Sequence, residues 1–158
     1  MKVSEHLKVT PEEFFAVVDE ALLADIASAR DKKAKASHLH EGYTYKKYLR
    51  GKADAAHAAT VRIVSYDRPR SYRSTVTTQQ GVTTMGYDVE PAGDGIDVTY
   101  VEEFRGTGGF KAILSNMVAP LQSLNGSSRI KSQLKAIEGR ILADAYPEPE
   151  ADDAAKDA

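Results

Sequence analysis

The order of elements constrains this chain more than any motif in it. A short alternating run, Lys2 to Val9, leads into one well-signalled helix, Pro11 to Ala29. Five strand-like runs then follow without interruption between Tyr43 and Phe104, and a long apolar-striped helical stretch, Phe110 to Leu142, closes the pattern. The turns between the five runs are too short to hold crossover helices, so their strands must pair antiparallel. A strand, a helix, a meander and a long terminal helix predict an α+β domain in which a curved antiparallel sheet of about six strands wraps around the C-terminal helix.

Each element carries its own signal. Val3, Leu7 and Val9 alternate with polar residues, as in a half-buried strand. Thr10, Pro11 and Glu13 spell a capping box with proline at the first helical position. Phe14, Phe15, Val18, Leu22 and Ile26 then form one stripe at helical spacing. Residues 30–41 lose the pattern and read as a loop, with room for one irregular helical turn. Tyr43 to Arg50 has conflicting phases, which suggests a bulge or an edge. Ala58 to Tyr66, Ser71 to Gln79, Val82 to Glu90 and Ile96 to Phe104 alternate more regularly. Asp67 to Arg70, Gln80-Gly81 and Pro91 to Gly95 are the turns between them. In the closing stretch Pro120 interrupts and Asn125-Gly126 stops the helix, so two helical pieces are expected, with Ser127 or Ser128 capping the second.

At 158 residues the chain suits one domain, here residues 1–143. From Asp144 onward six acids stand against one base, a net −5 that leaves +3 on the body. With Pro147 and Pro149, this acidic segment, 144–158, reads as a disordered tail. A body charge of +3 is too small for nucleic-acid binding. No apolar run reaches membrane-spanning length, and no signal peptide is visible. The absence of cysteine excludes disulfides and thiolate sites and fits the cytoplasm.

Chemistry-bearing residues are few. His38 and His40 lack a third ligand at metal spacing, and His6 lies on a polar strand face, so no metal or cofactor is expected. Gly106 to Gly109 lacks the lysine of a phosphate loop and reads as a hinge. Glu5 and Glu102 are different: each shares a sheet face with apolar neighbours. A buried carboxylate must be paired, hydrated or protonated. If the first and last strands are neighbours these two acids can meet and share a proton or hold a polar ligand group. Tyr43, Tyr45, Tyr72, Tyr87 and Tyr100 offer apolar rings with polar tips.

The stretches Gly42-Tyr43-Thr44-Tyr45-Lys46-Lys47, Tyr66-Asp67-Arg68-Pro69-Arg70-Ser71-Tyr72 and Val98-Thr99-Tyr100-Val101-Glu102-Glu103, in this order of elements, resemble the START-like, or SRPBCC, helix-grip superfamily, and within it a bacterial domain of unknown function. The resemblance implies a cavity between sheet and terminal helix that takes a small apolar or amphipathic molecule. Two departures accompany it: five strands rather than six after the first helix, and no clear second helix before the sheet. The expected cavity lining is Glu5, Tyr45, Val61, Ile63, Tyr72, Val76, Met85, Val98, Tyr100, Glu102, Met117 and Leu121. Binding is the first reading, with no catalytic residue assigned. The alternatives are a cyclase, hydrolase or isomerase using Glu102 or Glu5 as base, and a protein-interaction module like the helix-grip chaperone cofactors. A homo-oligomer stays open.

Overall fold

A computed structural model describes residues 1–30, 33–49, 53–107 and 126–145. Six strands form one antiparallel sheet: β1 (Lys2–Leu7), β2 (Thr44–Tyr48), β3 (Ala58–Asp67), β4 (Ser71–Thr78), β5 (Gly81–Ala92) and β6 (Gly95–Gly106). Their spatial order is β1-β6-β5-β4-β3-β2. The meander from β2 to β6 thus runs neighbour to neighbour, and the N-terminal strand returns to pair with the last one. Two helices, α1 (Pro11–Arg30) and α2 (Gly126–Ala145), join this sheet. The architecture is the expected helix-grip one.

The helix α1 starts where the capping box places it. The Glu13 carboxylate accepts from Thr10 N at 2.8 Å, and Glu13 N donates to Thr10 Oγ1 at 3.2 Å. Two orphan amides are thereby satisfied at once. Its stripe, Phe14, Phe15, Val18, Leu22 and Ile26, is buried in full. Two polar latches tie the same helix to the sheet. Asp25 accepts from Tyr45 Oη at 2.5 Å and from Lys47 Nζ at 2.8 Å. One and a half turns earlier, Asp19 accepts from Tyr66 Oη at 2.7 Å and Arg68 Nε at 2.8 Å.

The helix α2 runs along β1 in the same direction. Gly126 lies beside the Met1 side chain, Lys135 Nζ donates to His6 O at 2.8 Å, and Lys8 N donates to Glu138 Oε2 at 2.5 Å. Ile130, Leu134 and Ile141 are buried against Val3, Leu7, Phe14 and Phe15.

Several boundaries differ from expectation. β2 is shorter than Tyr43 to Arg50; Tyr43, just before it, still accepts from Ile63 N at 2.9 Å, and its ring stacks on His38 with centroids 4.9 Å apart. β2 is an edge strand, and the bulge lies instead in β3, between Ile63 and Ser65. The turn at Pro91 to Gly95 contracts to Gly93-Asp94: Pro91 and Ala92 pair with Ile96 and Gly95, and Gly93 takes a φ of 55° that suits glycine. Ser127 and Ser128 lie inside α2 rather than capping it, and α2 continues through Asp144 and Ala145, two residues into the segment read as tail. Short 3-10 turns occupy Ala36–His38 and Ala55–His57. The Phe110 to Leu124 stripe, Pro120 and the rest of the tail, 146–158, lie outside the described residues. No described helix is long and apolar enough to cross a membrane.

Candidate functional site

Side chains alternate across a strand, so register fixes which residues share the inner face. Tyr100 stands opposite Tyr87, Tyr87 opposite Tyr72, and Tyr72 opposite Tyr66. Four tyrosines thus form one row across β6, β5, β4 and β3. The rings of Tyr87 and Tyr100 are 5.4 Å apart, and Phe14 of α1 meets Tyr87 edge-on at 5.5 Å. Tyr66 joins the row only because the β3 bulge reverses the alternation after Ile63. Strict alternation from Ile63 turns Tyr66 outward, which is why the sequence reading left it out.

The adjacent row contains Glu102, opposite Met85, which is opposite Ser74, which is opposite Ile63. Glu102 is 1% exposed among apolar neighbours. Its Oε2 accepts from Tyr100 Oη at 2.8 Å. Burial raises its carboxyl above the ordinary glutamate range, while the Tyr100 bond, the Arg129 guanidinium and the Met1 amino group pull the other way. Burial is also the main reason that the Tyr100 hydroxyl is held well above the usual phenol range, with the Glu102 charge adding to it. Tyr87 is pushed up to about 12 by burial and then by Glu102. Both phenols stay protonated at neutral pH, and that of Tyr100 is the donor to Glu102.

Glu5 does not join Glu102. It stands opposite Val98, whereas Glu102 N bonds to Met1 O, so the two acids lie four residues apart along the β1/β6 ladder, about 13 Å. The Glu5 carboxylate sits between Lys135 Nζ at 3.8 Å and Lys131 Nζ at 4.0 Å of α2. Its partners are lysines at the sheet margin, and the sequence could not show this because the packing of α2 on β1 is a tertiary fact.

The other expected lining residues fall into two apolar groups. Ile63, Tyr72, Val98 and Tyr100 belong to the main core, with α2. Tyr45, Val61 and Val76 form a second cluster with Ile26 of α1. Met85, half-buried, packs against both. Met117 and Leu121 lie outside the described residues. Two residues the sequence reading passed over also stand out. Thr83 is 1% exposed on the inner face of β5. Arg129, in the first turn of α2, is half-buried. Thr83 Oγ1 and Arg129 Nε are buried and have no hydrogen-bond partner among the described residues. No cluster of metal-ligating side chains exists among the described residues, and His6 instead bonds Asp97 and Asp94, each at 2.8 Å.

The family model described as a domain of unknown function, DUF3284, matches residues 1–122. No curated protein matches. Among solved structures, the chain is similar to Ara h 8.0201, at 20% identity and a TM-score of 0.53, covering 90% of this chain and 97% of that one. It is also similar to protein MLL2253 from Mesorhizobium loti, at 11% identity and a TM-score of 0.52, covering 91% and 96%. At these identities the likeness concerns the fold alone, the helix-grip arrangement described above.

Proposed function

Because this chain belongs to the DUF3284 family and has the START-like helix-grip fold, we propose that it binds a small amphipathic molecule between the inner face of the sheet and the helical layer. The observation that carries this reading is the composition of the inner face. A row of tyrosines, one buried glutamate and the hydroxyls of Ser74 and Thr83 lie inside a largely apolar surface. Ligand sites are mostly apolar, with a few polar groups that fix orientation. A plain core has no need of a carboxyl group at 1% exposure, since leucine fills the same space without a desolvation cost. On the same reading the protein works in the cytoplasm, in keeping with a chain free of cysteine.

Dodecanol is a suitable neutral probe. Calorimetric titration is expected to give one saturable site per chain, and native mass spectrometry a one-to-one complex. Heat indistinguishable from dilution, together with a mass spectrum of bare protein only, contradicts the reading. A second reading takes Glu102 as a general acid or base beside the Tyr100 hydroxyl, in a cyclase or hydrolase. It is favoured by the raised carboxyl, and it leaves Glu5 without a role.

A further inference from the structure

The two unpartnered polar atoms lie at the same end of the molecule as Glu102. Thr83 stands opposite Phe104, the next inward residue of β6 after Glu102. Thr83 and Glu102 are therefore diagonal neighbours on one face, about 7–8 Å apart at Cα. Met1 holds Glu102 on its other side: its carbonyl accepts from Glu102 N at 2.8 Å, and its amino group donates to Glu102 O at 2.5 Å. The Met1 sulfur would lie 3.2 Å from a Cβ on Gly126, which brings the first turn of α2, and with it Arg129, to this end of the sheet. Arg129 acts on both Glu102 and Tyr100 through its charge, yet among the described residues it makes no ion pair with Glu102.

One acceptor can serve both atoms. Arg129 Nε can only donate, and a threonine hydroxyl can donate as well as accept. A buried donor without an acceptor is destabilising, and more so when it is charged. The missing partner is an acceptor oxygen, and a carboxylate suits a guanidinium best. We propose that Arg129, Thr83 and Glu102 form a seat for the carboxyl group of an otherwise apolar acid, whose chain lies along the tyrosine row.

This rests on the cavity reading and adds a charge requirement to it. The groups facing Glu102 among the described residues are Tyr100 of its own strand, Tyr87 of β5, Arg129 of α2 and the Met1 amino group. A second carboxylate brought into this pole leaves two acids with one guanidinium for their side-chain oxygens, since the Met1 amino group donates to the Glu102 backbone carbonyl. Two carboxyls in one site hold one proton between them. The ligand is therefore taken up together with a proton, which Glu102 and the ligand carboxyl share, and Arg129 balances the remaining charge. The sign follows: affinity for the acid falls as pH rises, and affinity for a neutral alcohol does not.

Dodecanoate and dodecanol, titrated calorimetrically against the full chain in two buffers of different ionisation enthalpy, test this. Proton uptake with dodecanoate and none with dodecanol is expected. Arg129→Gln and Thr83→Val are each expected to cut the ratio of dodecanoate to dodecanol affinity by about tenfold. Arg129→Lys, which keeps the charge and removes Nε, is expected to recover only part of the loss. Dodecanol binding with no preference for dodecanoate, or a ratio unmoved by Arg129→Gln, overturns the carboxyl seat and leaves the cavity standing. Binding of neither probe overturns both.

Discussion

Phe14→Ala is expected to cost about 3–5 kcal/mol of stability, a large part of what a domain of this size has. Phe14 is fully buried and touches two rings edge-on, Phe15 at 6.2 Å and Tyr87 at 5.5 Å. It is the contact by which α1 covers the tyrosine row. Its removal leaves a cavity that the latches at Asp19 and Asp25 prevent α1 from closing, because both hold the helix at fixed height over β2 and β3. Urea unfolding followed by circular dichroism measures the loss. A decrease below about 1 kcal/mol would show that the helix does not seal the sheet as described.

Gly86→Ala is expected to destabilise by about 3 kcal/mol or more, and to damage ligand binding with it. A Cβ on Gly86 would run into the Tyr72 carbonyl oxygen, lie 2.8 Å from the carbonyl carbon and 2.9 Å from Arg73 Cα. These are backbone atoms of β4, so nothing can swing aside and the two strands must part. Gly86 lies between Met85 and Tyr87, and the separation therefore displaces the neighbours of Glu102 and the centre of the tyrosine row. Gly139→Ala is the matched comparison. Nothing lies within 4 Å of a Cβ there, and the helical site should gain about 0.5–1 kcal/mol. Thermal unfolding of both variants separates the crowding of one site from the propensity of the other. Equal effects would contradict the β4/β5 register.

What the sequence made legible was whatever depends on neighbours along the chain. The α1 cap and stripe, the six strands and the inward set on β6 follow from local spacing, and each is found in place. The site was legible only in part. Alternation along β6 put Glu102 on the inner face, where it is buried. Glu5 follows the same rule, yet α2 supplies lysines to it, and the stagger of β1 against β6 keeps it from Glu102. Tyr66 was hidden by a one-residue bulge, since a single insertion exchanges the two faces of a strand. Arg129 and Thr83 were hidden for a different reason. An arginine after two serines at a helix start and a threonine in a strand are both ordinary, and only the burial of their polar atoms marks them.

The central claim is that the tyrosine row faces a ligand rather than merely filling a core. Carbon-13 ring spectra of tyrosine-labelled protein, recorded during titration with dodecanol, test it directly. The account predicts that the resonances of Tyr72, Tyr87 and Tyr100 shift together and saturate at one equivalent, while that of Tyr48, 55% exposed on the edge strand, stays fixed. Shifts confined to Tyr48 and other exposed rings, with the inner three unmoved, would contradict it.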